Sequence, residues 1–478
     1  MRKLWKYALL MACVCCAGSL YAQDPAALPG TETGGLTPDS LRPFVIRNII
    51  IKGNKKTKPY IIERELPFRR GDSVNLAGLV GRFERARELL MNTTLFNEAI
   101  VAVDRFSGYD LDVIISVKER WYIFPIPYLK PVDRNLSEWA KQGYGFNRVN
   151  YGFKLNYNNF TGRNDKLKLW LITGYTRQAQ FQYELPYIDR ALKYGTRVGF
   201  TYMSNKEVNY ATSGNEQLFY SDSSRNTALS KQMSGFVDVT YRPGIFTRNT
   251  LRIAFIHQEV DTAVINRNPK YFDVTTNKLS FPEISYKLEY TNVDYIPYPQ
   301  KGVSGEVSIL KRGFNKDFNM WQLSMKGNKH SMLSNRTSYS VQASGVLRLP
   351  LDQPFINQRL FGYGDFYLRG LEKYVIDGVG GMLVKNTLRH KILQFNVATP
   401  FRSETHDKIP FQIFLKTYFD AGYAYNKYVH DNTLGNRMLY TGGFGVDVVT
   451  FYDLALRFEY SFNQLGQSGF FFHLKNDF

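Results

Sequence analysis

Residues 454–462 read Leu-Ala-Leu-Arg-Phe-Glu-Tyr-Ser-Phe. Leu454, Leu456, Phe458, Tyr460 and Phe462 share one parity, and Ala455, Arg457, Glu459 and Ser461 share the other. Successive side chains of a β-strand point to opposite faces, so this is a strand with one apolar and one polar side. The pattern recurs at 166–171, where Leu167, Leu169 and Leu171 interleave with Lys166, Lys168 and Trp170. A single strand of this kind fits a soluble sheet equally well. What distinguishes the chain is persistence: period two holds over 144–478 with hardly a helical pattern in it. Sixteen strands over that span leave about 21 residues for each strand with its connection, which fits tilted membrane strands of about 10 residues. Phe470, Phe472, Leu474 and the terminal Phe478 carry one parity to the chain end, interrupted only by Asn476. Closure into a barrel also removes the exposed edges of so long a sheet.

Composition agrees. Aromatic residues make up 15% of the 478 residues and apolar residues 44%, while mean hydropathy is −0.32. A helical membrane protein would need runs of about 18 apolar residues, and none occurs past the N-terminus. A transmembrane barrel averages its two faces and gives an ordinary mean. The formal charge of +19 raises the question of nucleic acid. The basic residues alternate with apolar ones along strands and form no arm or recognition helix, so anionic lipid headgroups account for them and nucleic acid is not expected.

Residues 1–22 read as a secretory signal peptide: Arg2, Lys3 and Lys6 head an apolar stretch from Tyr7 to Gly18, and Ala22 offers a small residue for cleavage. Cys13, Cys15 and Cys16 all lie within it, so neither disulfides nor thiolate metal sites are expected in the mature chain. Residues 23–42 are rich in Pro, Gly and Thr and form a flexible leader. Residues 43–119 change period. Val45 to Ile51 is a strand, Pro59 opens a short helix, and Leu76, Leu79, Val80, Phe83, Ala86 and Leu90 recur at helical spacing. Strands over about 98–106 and 109–118 follow, giving β-α-α-β-β. Residues 120–143 read as a linker, and the barrel is expected over 144–478.

An α+β domain of this order after a signal peptide, followed by a barrel ending in Phe478, resembles the BamA/TamA superfamily of outer-membrane proteins. Single-module members of that group carry one such POTRA domain. Asn159-Phe160-Thr161-Gly162 is similar to the family's first hairpin turn, and Pro186-Tyr187-Ile188-Asp189 to the next. Asp294 and Gly302 lie in a segment like its mid-barrel signature. Leu368-Arg369-Gly370-Leu371 resembles the arginine motif of its sixth loop, and Phe419-Asp420-Ala421-Gly422 its late-strand aspartate motif. The resemblance implies that the sixth loop folds into the lumen, with Arg369 meeting Asp420 and Gly370 allowing the loop tip to turn. Gln394 stands where the family carries a second acid, which leaves Glu459 as a substitute.

The resemblance further implies an outer-membrane location, with the α+β domain in the periplasm of a Gram-negative-type bacterium. The expected partners are unfolded outer-membrane or secreted polypeptides, outer-membrane lipid and lipopolysaccharide, and accessory lipoproteins. The function implied is insertion or translocation of polypeptides by strand templating at the seam between a strand near 147–157 and the last strand, and along the α+β edge strand. The alternatives are a dedicated polypeptide-secretion transporter and a passive pore or adhesin, with the Ser- and Asn-rich segment 205–231 as a surface loop. No catalytic set, cofactor or metal is expected. The six histidines show no ligand spacing, and neither a nucleophile elbow nor a phosphate loop occurs.

Overall fold

The computed structural model of the chain describes residues 43–131, 149–222, 227–315, 318–398, 408–427 and 432–475. The signal-peptide and leader readings, and Phe478, lie outside these residues.

The α+β domain contains β1 (Phe44–Lys52), α1 (Pro59–Arg64), β2 (Ser73–Val74), α2 (Leu76–Asn92), β3 (Phe96–Ser107) and β4 (Asp110–Glu119). Its sheet has the order β2-β1-β4-β3, with β1 parallel to β4 and β3 on an edge. Leu111, Val113, Ile115 and Val117 alternate along β4 and are all buried against the helices. Their spacing puts them on one face of the sheet. In α2, Leu79, Ala86 and Leu90 are buried as the helical spacing requires, but Leu76 and Val80 are exposed and Leu89 is buried instead. The apolar stripe is wider than the sheet it meets, so packing selects one flank of it.

Most of the remaining described chain forms one sheet of 16 strands in which every neighbouring pair is antiparallel; two short hairpins and two short helices lie in its connections. The sheet opens with Ile123–Pro131, inside the segment read as a linker, so the barrel starts about 20 residues earlier than expected. Three prolines hid this strand from a pattern reading, since proline weakens a strand assignment and is tolerated only on an edge. The strand expected to come first, near 147–157, is the second (Val149–Asn158). The last strand is Ser468–Lys475. The sheet curls back on itself: the Phe124 ring lies 5.6 Å from that of Tyr452, which sits between the fourteenth and fifteenth strands.

Parity separates the two barrel faces. Along Lys408–Tyr425, Leu415 and Phe419 are exposed on the outside, whereas Phe414, Lys416, Tyr418 and Asp420 are buried within. Among the described residues no helix is long and apolar enough to cross a membrane. The outward faces of the strands supply the apolar surface instead.

The α+β domain sits across one mouth of the barrel, here called the near end. The Asn159 side-chain amide donates to Thr57 (2.9 Å), and Arg242 grips Glu65 through both oxygens (2.6 and 2.8 Å). Ile296 N–H donates to Asn92 (2.8 Å). Arg120 holds Asp453 with two bonds (2.6 and 3.0 Å). The Arg242 and Asp453 turns are eight strands apart in a ring of 16, so the domain spans the opening from side to side. Tyr187, from the turn after the fourth strand, enters the domain's own core.

Candidate functional site

Two features of the barrel bear on function: the long loop between Thr337–Leu349 and Gly380–Ala398, and the seam between first and last strands.

The loop folds into the lumen at 368–371. Leu368 and Leu371 are buried beside Leu383, Ala424 and Leu439, so the tip is held by apolar packing as well as by charge. Arg369 Nε donates to Asp420 Oδ2 (2.9 Å) and an Nη donates to Oδ1 (2.5 Å), a fork-on-fork contact. Nη1 donates to Thr387 Oγ1 (3.1 Å), Nη2 also reaches the Asn386 carbonyl (3.3 Å), and Cζ lies 4.0 Å from the Tyr418 ring centroid. Arg369 is 8% exposed and Asp420 fully buried. The cost of burying two such charges is offset only where neighbours meet their hydrogen-bonding capacity, as they do here.

Glycines make room for this. Gly370 has φ +86°, and a Cβ there would lie 2.9 Å from Ser461 Cβ on the fifteenth strand. A side chain would therefore be both strained and crowded. Gly422 admits the Leu368 methyls, which would lie 3.1 Å from an added Cβ.

The remaining expected site residues lie elsewhere. Gln394 is exposed and accepts a hydrogen bond from Lys391 (3.0 Å). Lys385 is the residue opposite Asp420, and Gln394 lies nine positions further toward the near end, opposite Gln412. It takes no part in the contact; strand 380–398 meets Arg369 through Asn386 and Thr387 instead. Only register decides that, and a pattern of two cannot supply it. Glu459 makes no hydrogen bond to Arg369. It pairs with Lys416 (2.6 Å) and His473 (3.4 Å). Asp294 and Gly302 close a near-end turn: Asp294 accepts from Gln300 and Lys301 N–H (3.0 and 3.1 Å), and Gly302 has φ +114°. Segment 205–231 contains a hairpin, Glu207–Ser213 with Glu216–Ser221, that reaches inward: Asn215 bonds Asn432 and Thr433, and Thr212 bonds Tyr363 of the long loop.

At the seam, among the described residues, no ladder joins the first strand to the last. Asn158 N–H donates to the Tyr122 carbonyl, so even-numbered residues of the first strand face the second, and odd-numbered ones face the seam. The odd residues are Ile123, Pro125, Pro127, Leu129 and Pro131, leaving two N–H donors in five positions. On the other side, Asn463 N–H donates to the Gln467 carbonyl, so Ser468, Phe470, Phe472 and Leu474 present their backbone to the seam. None is proline, and that edge keeps its full row of donors and acceptors. The last strand is therefore ready to pair and the first is not. The prolines were legible in the sequence; the direction they face was not.

Residues 44–120 match the family model described as surface antigen variable number repeat, the POTRA domain, and 159–464 match that of the Omp85 superfamily domain. No curated protein is matched. Among solved structures, BamA from Haemophilus ducreyi lacking POTRA domains 1–3 is 15% identical, with 90% of this chain and 85% of that one covered and a TM-score of 0.50. CdiB from Escherichia coli is 10% identical, with 95% and 93% covered and the same TM-score. At such identities the likeness is one of fold.

Proposed function

Because this chain belongs to the Omp85 superfamily of outer-membrane β-barrels, we propose that it inserts or translocates other polypeptides at that membrane, with the POTRA domain on the periplasmic side. The observation that carries this reading is the unmatched seam. The edge of the last strand keeps its backbone groups, while its own neighbour in the ring lacks three donors. An incoming strand with all its amides would pair better there than the first strand does, which is β-augmentation used as a folding template. The exposed edge strand β3 offers a second place to hold an extended chain. The driving force is the client's own folding, so no nucleotide is required. The partners are unfolded outer-membrane or secreted polypeptides and the surrounding lipid and lipopolysaccharide, with accessory lipoproteins docking on the POTRA domain.

The domain lying across the near mouth favours a regulated path over a passive pore, since a standing pore gains nothing from a bridged opening. Dedicated secretion of one polypeptide is the reading to separate next. The test is depletion in the native host, quantifying the outer-membrane proteome with wild-type and Arg369→Ala rescue. Loss of many unrelated barrels, restored only by wild type, supports insertion. Loss of one exported protein assigns a secretion transporter, and an unchanged proteome overturns both.

A further inference from the structure

Beside the Arg369 contact, three side chains from three separate elements converge: Glu372 of the long loop, Glu459 of the fifteenth strand and His473 of the last strand. One ligand atom from each lies within 4.8 Å of the other two. His473 Nε2 is 3.1 Å from Glu372 Oε1 and 3.4 Å from Glu459 Oε2. Glu459 is 2% exposed, and its Oε2 accepts no hydrogen bond among the described residues. Its other oxygen is taken by Lys416 at 2.6 Å.

A proton on Nε2 does not satisfy this arrangement. One N–H can point at one carboxylate, and the 3.1 Å contact is with Glu372, so the buried Glu459 oxygen is left without a donor. Such an oxygen is costly to bury. A small divalent cation at the centre would meet all three lone pairs at once. Zinc holds N and O donors at about 2.0–2.2 Å in a tetrahedron, which places neighbouring donors about 3.3–3.6 Å apart; the two histidine–carboxylate separations bracket the lower end of that range, and the two carboxylate oxygens lie within 4.8 Å of each other. Lys416 fixes the Glu459 carboxylate so that Oε2 points to the gap. The Tyr367 ring lies 6.0 Å from the His473 ring at an interplanar angle of 30°. The Lys416 contact is the kind of outer hydrogen bond that orients a ligating carboxylate, and the ring contact limits how far the imidazole can turn. The imidazole favours zinc over magnesium or calcium, which prefer all-oxygen sets.

The geometry points to a zinc-class divalent-cation site formed by Glu372, Glu459 and His473, which ties the long loop to the last strand. A fourth position is left for water. Lys385, 4.1 Å from the Tyr367 ring, and Lys416 add positive charge nearby, so the site is exchangeable rather than a permanent structural one. It would hold the seam-forming strand to the lumen loop and make the seam's freedom depend on metal. The site stands whichever polypeptide role the protein has.

The test uses the full chain in detergent, with its affinity tag removed and its metal stripped by chelator, titrated calorimetrically with zinc chloride alone. Wild type and the His257→Gln control are expected to take up one zinc per chain. His473→Gln and Glu372→Gln should each weaken uptake at least tenfold, while heat-modifiable migration shows every barrel folded. Absorption spectroscopy of the zinc-loaded protein should show only N and O ligands, with one imidazole. No saturable uptake by wild type, or uptake untouched by His473→Gln, overturns the site. So does loop protection from protease that follows pH but not zinc, which would make the triad a proton bridge. The proteome experiment reads the polypeptide role separately.

Discussion

The loop contact and the seam lie a few strands apart in the same barrel and are built in opposite ways. At the contact, Arg369 and Asp420 are enclosed and every nitrogen of the fork has an acceptor. At the seam, a full row of backbone groups on Ser468–Lys475 faces an edge that prolines have stripped of donors. Both involve polar groups in surroundings poor in water, where an unmet group is expensive. The first arrangement gives a single fixed state. The second leaves pairing capacity that another chain can use. Rigidity beside the seam and incompleteness at it are complementary: the barrel need not loosen as a whole for one edge to exchange partners.

The largest effect expected from breaking this contrast is at the contact. Asp420→Ala leaves Arg369 buried without a counter-charge, and removing one partner of a buried pair costs about 3–5 kcal/mol. Denaturant unfolding in detergent should shift accordingly, and protease should cut within 350–379. Gly370→Ala is expected to cost about 1–3 kcal/mol through its left-handed backbone and the closeness of Ser461, measured in the same way. The seam should respond in the opposite sense. Pro125→Val with Pro127→Val restores two donors, each worth about 0.5–1.5 kcal/mol once paired. Hydrogen exchange of the Phe470 and Phe472 amides should slow, and client insertion should slow with it. A seam that closes without loss of activity would sink the templating reading. The smallest effect is expected at Gln394→Ala, within about 0.5 kcal/mol, because its side chain is exposed and far in register from Arg369. A large effect there would mean that the family position has a role the contact itself does not explain.

Much of this was legible in single residues. Arg369 and Asp420 could be placed by motif and parity, since alternate residues of a strand share a face. Where a second residue's height along the barrel mattered, parity was not enough. Gln394 was set beside Arg369 by likeness alone, and register put it nine positions from the residue opposite Asp420. The first strand was missed because proline speaks against a strand in isolation, while at an edge its missing N–H does no harm. Glu372, Glu459 and His473 carry no ligand spacing because they come from three elements that only the folded loop brings together.

Sequence by itself determined the period of two, the β-α-α-β-β order before it and the inward face of Asp420, because these depend on neighbours a few residues apart. Tertiary structure alone decided which flank of α2 is buried, where the barrel begins, which edge of the seam lacks donors and how the POTRA domain bridges the near mouth. Those outcomes rest on register and on contacts between residues hundreds of positions apart, such as Arg120 with Asp453, and no local pattern encodes which distant groups will meet.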